Sequence, residues 1–411
     1  MYALLRSNLS VLPILLWIAL VLLEVSTAAR AATESCLVCH EYQAKQFESS
    51  VHAQARFSCR DCHGGNPDLA DEKAHATTDF KAFANKREIA ESCAHCHSDV
   101  RRMNPYGIPT DQLERYKTSK HGERLFGNGD KNVATCTDCH GVHDILKVKS
   151  PQSHTFPSNI PETCGRCHSN AKLMDQYSLP SDIVEKYKTS YHAHLLLKIG
   201  DFSAPTCVTC HGNHGATPPG IAQVGQVCGK CHVRQHELFE KSPHAASSTR
   251  AQFTECVSCH ENHAIKKASV ELFAQSCVRC HTGQPKALAV RDNVAGLIRN
   301  ARNAYERATA RVQEATVRGL ATEDEQLLLQ EAKTQVTQLE ALQHTLSPTL
   351  LEPVALRANE IVNQTLDGIN WLERIEHWKL RALIPIWIFL MMMAVLFWAK
   401  RRRIEQSGGK L

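Results

Sequence analysis

The sequence predicts a mainly α-helical protein with extensive coil, in which a long cysteine-rich region precedes a helical hairpin or bundle and one C-terminal transmembrane helix. Three observations predict this fold class. All 18 cysteines fall between residues 36 and 280. The segment after Pro285 has no cysteine and is rich in Ala, Leu, Gln, Glu and Arg, which is typical of helices. Residues 382–399 are entirely apolar.

The cysteines occur as nine Cys-x-x-Cys-His sites, which leave no cysteine over. Zinc ribbons, redox dithiols and disulfide frameworks also use Cys-x-x-Cys pairs, but here a histidine follows every pair. This pattern is the attachment signature of c-type haem, in which two thiols bond to the haem vinyl groups and the histidine ligates the iron. The sequence therefore predicts nine covalently bound c-type haems, each with its iron. The attachment cysteines are Cys36, Cys39, Cys59, Cys62, Cys93, Cys96, Cys136, Cys139, Cys164, Cys167, Cys207, Cys210, Cys228, Cys231, Cys256, Cys259, Cys277 and Cys280, and the attachment histidines are His40, His63, His97, His140, His168, His211, His232, His260 and His281.

Eight of the nine sites fall into four repeats, and the site at Cys36 stands ahead of them. Each repeat opens with an aromatic residue and a Ser-x-His element and then carries two attachment sites. The repeats, here called modules 1 to 4, cover residues 47–97, 116–168, 187–232 and 239–281. Modules 2 to 4 also have a histidine three residues after their first attachment histidine, and we call it the trailing histidine. Each module is therefore expected to hold two haems.

Bis-histidine coordination needs a second histidine for each iron, and the repeat predicts seven of these distal ligands. A histidine three residues beyond an attachment histidine cannot easily reach the opposite face of the same ring, so the trailing histidines are expected to bind a neighbouring haem. Module 1 has no trailing histidine, and His75 is its predicted substitute. The ninth ligand is left open among His95, His154, His194 and His236. The seven from the repeat are His52, His121, His192 and His244 in the Ser-x-His elements and the trailing His143, His214 and His263.

Methionine is the other common axial ligand and raises the potential of its haem. Only Met103 and Met174 lie in the cysteine-rich region, so most sites are expected to have two histidine ligands and low potentials. Aromatic residues make up only 6% of the chain, and long apolar runs are few between residues 36 and 281. We therefore expect this region to fold around its haems and to be largely unfolded without them.

With these elements the chain resembles the multihaem c-type cytochromes, particularly class III-like and tetrahaem electron-carrier modules. The resemblance covers roughly residues 35–282 and rests on the attachment sites, the Cys-x-x-Cys-His-Gly-x-His segments at 136–143 and 207–214, and the Ser-x-His elements. It implies short helices that carry the attachment sites and haems that pass electrons along a chain, with the protein setting spacing, ligation and electrostatics. It also implies export, because c-type haem is attached outside the bacterial cytoplasm.

The predicted domains follow from composition. Residues 1–31 have the layout of a signal peptide, with an apolar run followed by small residues. Residues 32–284 form the nonahaem region, 285–379 a helical hairpin or bundle, 380–399 a transmembrane helix and 400–411 a cytoplasmic tail. The basic residues 400–403 place the tail inside by the positive-inside rule. This predicts one C-terminal span in the bacterial inner (cytoplasmic) membrane, with the haem domain in the periplasm.

Apolar residues at spacings of three and four predict the helices of the bundle. The first runs from Pro285 to near Gly319. Thr322 and Glu325 predict a capping box for the second helix, which is expected to stop at Ser347-Pro348, and the third is expected to begin near Pro353. The bundle is expected to be a packing, spacer or oligomerisation element, and His344 within it is expected to have no haem role.

Two functional classes fit the sequence. In the first, the protein is a membrane-anchored electron-transfer subunit that relays electrons between an integral-membrane quinol-oxidising partner, such as a cytochrome b, and periplasmic cytochromes or a terminal reductase. In the second, it is an oxidoreductase for a nitrogen or sulfur oxyanion, which needs an iron with an open position. The abundance of spare histidines favours the first class, and no catalytic residue is predicted. The net charge of +5 omits the haem propionates, and no basic stripe interleaved with aromatic residues is evident, so nucleic acid is not an expected partner.

Overall fold

The computed structural model describes residues 35–217, 224–245 and 254–407. Within these ranges the chain is mainly helical and has no β-strand. The predicted signal peptide and the last four residues of the predicted tail lie outside the described residues. Contacts divide the chain into two compact units, one comprising residues 1–218 and 263–265 and the other residues 219–262 and 266–411.

The first unit consists of short helices joined by irregular segments. Short 3-10 turns cover Glu72–His75, Asn104–Tyr106 and Pro157–Asn159, and π-helical turns cover Glu123–Gly127 and Leu195–Ile199. The α-helices of this unit are α1 (Cys36–Cys39), α2 (Glu41–Glu48), α3 (Val51–Gln54), α4 (Cys59–His63), α5 (Lys86–His97), α6 (Val100–Met103), α7 (Gln112–Thr118), α8 (Lys120–Gly122), α9 (Cys136–His140), α10 (Ile160–His168), α11 (Ala171–Asp175), α12 (Ile183–Lys188), α13 (Tyr191–His194) and α14 (Cys207–His211).

The second unit combines further short helices with three long ones. The 3-10 turn Gln343–Thr345 joins the last two of these. Its α-helices are α15 (Val224–Gly229), α16 (Val233–Phe239), α17 (Glu255–His260), α18 (Glu271–Ser276), α19 (Val278–His281), α20 (Pro285–Val317), α21 (Glu323–Leu342) and α22 (Pro348–Ser407).

Helices α20, α21 and α22 pack against one another as a three-helix bundle. Among the described residues there are two clusters of buried apolar side chains, and both are centred on these helices. Val294, Ala301 and Ala308 of α20 are fully buried, as the predicted apolar stripe requires. The only buried cluster member outside the three helices is Val270, just before α18. A conventional apolar core is therefore a property of the bundle and not of the cysteine-rich segments.

The start of α21 differs from the prediction. Thr322 is the N-cap residue, but its side chain does not accept a hydrogen bond from a backbone N–H, so the predicted capping box is wrong. The Thr322 hydroxyl lies 2.7 Å from the Thr316 hydroxyl and accepts a hydrogen bond from Gln326. These side-chain partners occupy the hydroxyl that would otherwise cap the helix.

The third bundle helix and the predicted transmembrane helix are one continuous helix of 60 residues, α22. It begins at Pro348, so the predicted start near Pro353 is wrong. Ser347-Pro348 does end the preceding segment, but proline is also favoured at the first position of a helix, where its missing N–H has no intrahelical partner. Pro348 therefore marks both the end of the preceding segment and the first residue of α22.

The C-terminal part of α22 is apolar and exposed. The stretch from Pro348 to Glu405 contains a window of mean hydropathy 2.4, and none of that window is buried within the protein. Trp387, Phe389 and Met391 are each more than half exposed. Of the helices in the described residues, α22 is the one that is long and apolar enough to cross a membrane.

Acid is expected to weaken the packing of α20 on α22 through Glu373. This carboxylate accepts hydrogen bonds from Arg311 at 2.9 Å and Arg318 at 2.8 Å. Burial alone raises the pKa of Glu373, but the two guanidinium groups outweigh burial and hold its pKa below the usual range. Because the folded pKa is depressed, the carboxylate stabilises the fold above its unfolded pKa of about 4.3, and this is lost as pH falls through the folded pKa.

Thermal unfolding of E373Q and the parent protein across this pH range measures the effect. The variant is expected to melt at a lower temperature near neutral pH, and the gap between the two is expected to close as pH falls towards about 3. E352Q, on an exposed residue of the same helix, is the matched control and is expected to melt with the parent at every pH. A difference in melting temperature between E373Q and the parent that does not depend on pH would contradict this role of the Glu373 carboxylate.

Candidate haem sites

Most attachment motifs form about one turn of helix, whereas the motif that begins at Cys228 extends past the end of α15 at Gly229. In α4, α9 and α14 the helix begins at the first cysteine and ends at the histidine. Residues three and four apart lie on the same side of a helix, so the two thiols and the imidazole are grouped on one side of the turn. All 18 cysteines lie in the described residues, and no disulfide bond joins any of them there.

Side chains next to the motif fix both ends of this turn. The backbone N–H of Ser58 donates to Asp61, and that of Thr135 donates to Asp138, in both cases at 2.7 Å. The residue after the histidine must leave the helix with a positive φ, which is 67° at Gly64, 88° at Gly141 and 84° at Gly212. Glycine adopts this conformation without strain, which explains the glycine in the repeat. Module 4 has Glu261 there, at a φ of 64°.

The Ser-x-His element is a helix start. Ser50, Ser119 and Ser190 are N-cap residues whose hydroxyls accept from a backbone N–H three residues later, at 2.9 to 3.0 Å. All three serines are buried. Because the serine caps the helix, the histidine two residues later has a fixed direction. In modules 2 and 3 the opening tyrosine adds a second restraint, since Tyr116 donates to the carbonyl of Ala134 and Tyr187 to that of Pro205, each two residues before an attachment cysteine.

The structure places eight of the nine attachment histidines opposite a second histidine. The ring centroids of each pair are 5.9 to 6.3 Å apart. In every pair the second histidine comes from outside the attachment motif. The pairs are His40 with His75, His63 with His143, His97 with His52, His140 with His214, His168 with His121, His211 with His263, His260 with His344, and His281 with His244.

This separation fits one metal ion held between two imidazoles. A metal–nitrogen bond of about 2 Å on each side, with about 1.1 Å from each nitrogen to its ring centre, places the ring centroids about 6.2 Å apart. Aromatic rings in direct contact have centroid separations of about 4.5 to 7 Å, and what distinguishes these eight pairs is that all of them fall between 5.9 and 6.3 Å. The thiol pair beside each attachment histidine supplies the covalent partners of a haem. The residues present therefore fit the predicted cofactor.

The pairs follow a simple register. Ser-x-His histidines face the second attachment histidine of their own module: His52 faces His97 and His121 faces His168. Trailing histidines instead face the first attachment histidine of the preceding module, as expected for ligands that bind a neighbouring haem. The trailing pairs are His143 with His63, His214 with His140, and His263 with His211.

A repeated backbone hydrogen bond joins successive modules in the same register. The N–H of Val51 donates to the carbonyl of Ile145, two residues after the trailing His143. The equivalent bonds run from Lys120 to Ala216 and from Tyr191 to Ile265, at 3.2 and 2.7 Å. The Ser-x-His element of each module is thus tied to the trailing histidine segment of the next. This bond explains why each trailing histidine pairs with an attachment histidine of the preceding module and not of its own.

Attachment sites of successive modules also adjoin. Three pairs of thiols are close enough to hydrogen-bond: Cys93 with Cys136, Cys164 with Cys207, and Cys228 with Cys256. In each pair the second site of one module meets the first site of the next. The pKa of the Cys136 thiol is lowered to about 7, chiefly by its hydrogen bond to Cys93, whose own pKa is raised. Groups bound at these sites are therefore neighbours in the fold.

The paired histidines are mostly neutral near pH 7. Burial lowers the pKa of His52, His97, His121 and His214, and it lowers that of His140 to about 4. A neutral imidazole is the form that ligates a metal. Backbone contacts also orient some rings: Nδ1 of His63 lies 3.0 Å from the carbonyl of Lys81 and must donate to it. That bond leaves Nε2 with the free lone pair, as is usual for metal-binding histidines.

Several sequence predictions remain predictions. His192 keeps its predicted distal role and His232 its attachment role. Of the histidines left open for the ninth ligand, His194 stacks on Tyr191 with centroids 6.0 Å apart. His236 lies 3.8 Å from Glu240. His154 has a buried Nδ1 without a hydrogen-bond partner, and His95 lies on α5 between Cys93 and Cys96.

Sequence reasoning missed His344. This residue lies in the turn between α21 and α22, more than sixty positions beyond the last attachment site, yet its ring faces that of His260 at 6.3 Å. The composition of residues 285–379 predicted a helical bundle without cofactors, and the turn lies within that range. The order of the pairs could have predicted this pair. Each first attachment histidine pairs with a trailing histidine of the next module, but no module follows His260, so its partner has to come from elsewhere.

Outside the pairs, no cluster of three or more His, Cys, Asp or Glu side chains suited to a metal ion occurs in the described ranges. The candidate sites are therefore the histidine pairs and their adjoining thiols. No family model matches the chain, and the search of curated proteins found no significant match.

Proposed function

We propose that the protein is a membrane-anchored multihaem c-type cytochrome that relays electrons in the periplasm. The observation that carries the proposal is the set of eight histidine pairs, each combining an attachment histidine with a second histidine at 5.9 to 6.3 Å. Covalently bound haem supplies one-electron chemistry at such sites. The cysteines would hold the group, and the paired histidines would ligate its iron.

Two axial histidines leave no open position for a substrate, and this favours relay over the alternative of an oxyanion reductase or oxidase. Two histidine ligands also favour low potentials, because a methionine ligand raises the potential. Met103 and Met174 are both buried, and neither belongs to a histidine pair. The adjoining thiols of successive modules support a continuous series of sites, since neighbouring haems exchange electrons only when they are close together.

The long helix α22 supplies the membrane attachment in this proposal. Its apolar stretch has no ionisable side chain over residues 382–399, so it is suited to anchoring and not to proton relay. The basic residues 400–403 place its C-terminal end in the cytoplasm by the positive-inside rule. The haem region then lies in the periplasm of a bacterial inner membrane. Its partners would be an integral-membrane quinol-oxidising subunit, such as a cytochrome b, and periplasmic cytochromes or a terminal reductase.

The full-length protein, purified from a host with c-type haem maturation, tests the proposal. Mass spectrometry and a pyridine haemochrome assay are expected to give nine covalent haems per chain. Electron paramagnetic resonance of the oxidised protein is expected to give only low-spin haem, because every iron has two axial histidines. The matched functional control is turnover of nitrite and hydroxylamine, which is expected to be absent. A stoichiometric high-spin signal together with turnover would overturn the relay in favour of catalysis, and a colourless protein would overturn both.

A further inference from the structure

We propose that His344 is the axial ligand opposite His260, so that the helical bundle itself holds one haem of the series. The inference rests on the proposed function, because it names a ligand for one of the predicted haems. The two imidazole centroids are 6.3 Å apart and their planes are inclined by 18°. This geometry is that of the other histidine pairs, although His344 lies outside every attachment motif and every module.

The angle between the two ring planes groups this pair with the pairs formed by trailing histidines. The three pairs formed by trailing histidines have interplanar angles of 33°, 17° and 21°. The pairs formed by Ser-x-His histidines are more tilted, at 73°, 54° and 38°. The angle of 18° between His260 and His344 falls within the first class. His344 thus takes the place of the trailing histidine that a fifth module would supply.

The turn that carries His344 is built to hold its ring in place. Nδ1 of His344 lies 2.9 Å from the carbonyl of Ala341 and donates to it. This bond fixes the tautomer with the lone pair on Nε2, the arrangement common to metal-binding histidines. The next residue, Thr345, is buried and donates to the carbonyl of Leu342 at 2.8 Å. The ring therefore has a fixed direction before any metal binds.

Contacts within the second unit bring the turn and the attachment sites together. Helix α16, between the last site of module 3 and the Ser-x-His element of module 4, packs against both α21 and the turn. Burial lowers the pKa of His344, which accords with its enclosed position. Pro348, the first residue of α22, follows His344 by four positions. Ligation by His344 would thus couple a haem directly to the helix that carries the membrane span, and the bundle would be more than a spacer.

Axial-ligand spectroscopy of full-length variants tests this inference. H344A is expected to keep its nine covalent haems, while one haem in nine becomes high-spin, and added imidazole is expected to return that haem to the low-spin form. H344M is expected to keep all haems low-spin and to raise the potential of one of them, because methionine ligation raises potentials. H377A, on an exposed histidine of α22, is the matched control and is expected to change neither the spin state nor any potential.

The outcomes separate this inference from the proposed function. If the parent protein has nine low-spin haems but H344A stays fully low-spin and H344M leaves every potential unchanged, the role of His344 is overturned while the relay stands. If the parent protein lacks the low-spin haems, the proposed function itself fails. If H344A does not accumulate, the potentials of H344M decide, because methionine fills similar space and keeps a ligand at the position.

Discussion

Full-length protein produced without covalent haem attachment is expected to be unfolded over residues 35–260, while α20, α21 and the N-terminal part of α22 remain packed. The reason is the distribution of apolar burial. The bundle has interlocking buried side chains such as Leu339, Ile361 and Ile369, each 0% exposed. In contrast, buried apolar side chains of the first unit, such as Leu125 and Leu196, belong to neither of the two described clusters.

Short helices do not stabilise themselves. Helices below about 12 residues are marginal in water unless tertiary packing supports them, and the helices of the first unit have at most 12 residues. The attachment sites therefore depend on the bound haem, in the way that small metal domains depend on their metal.

Hydrogen exchange with mass spectrometry, on detergent-solubilised apo and holo forms, measures this expectation. In the apo form, amides of residues 35–260 are expected to lose about a hundredfold or more of their protection, while the buried faces of α20 and α21 keep theirs. Residues near Val270 and Phe273 form an internal control, because they pack against the bundle cluster and are expected to retain intermediate protection. Equal protection of the first unit in both forms would show that it has a core independent of haem.

The repeat made most of the site predictable from sequence. A module with a Ser-x-His element, two attachment motifs and a trailing histidine predicts that trailing histidines lie beside the sites of a neighbouring module, and His143, His214 and His263 do pair with attachment histidines of the preceding module. His75, nominated only because module 1 lacks a trailing histidine, faces His40 and not the attachment histidine of a module. Sequence spacing could not assign that partner, because the path of the chain between two histidines depends on contacts such as the bond from Val51 to Ile145.

The fold errors have a similar origin. Thr322 and Glu325 have the spacing of a capping box, but the hydroxyl of Thr322 is used by Thr316 and Gln326, from outside the local motif. Likewise, Pro348 was interpreted as a helix stop, although the same residue type opens helices. His344 was missed because its partner lies more than eighty positions earlier in the chain. For Thr322 and His344, a contact with a residue outside the local motif decided the structure.

Replacing His143 with alanine is expected to alter the haem attached at Cys59 and Cys62, and not the haem attached at the nearer Cys136 and Cys139. His143 lies three residues after His140, in the motif of Cys136 and Cys139. Its ring centroid is nevertheless 6.3 Å from that of His63 in module 1. Loss of this imidazole leaves that iron with one axial ligand. One haem in nine is expected to become high-spin and to change its potential, and for a one-electron couple each shift of about 59 mV changes the equilibrium constant tenfold.

A double-substitution cycle identifies which haem responds. In a C59A/C62A background, which lacks the first of the two haems of module 1, H143A is expected to add no further high-spin signal, because its partner iron is already gone. In a C136A/C139A background, H143A is expected to produce the same high-spin signal as in the parent protein. The reverse result would show that His143 serves its own module, and the linkage between modules would then rest only on the backbone bonds. H377A, on an exposed histidine of α22, is the matched control and is expected to leave the spin states unchanged in all three backgrounds.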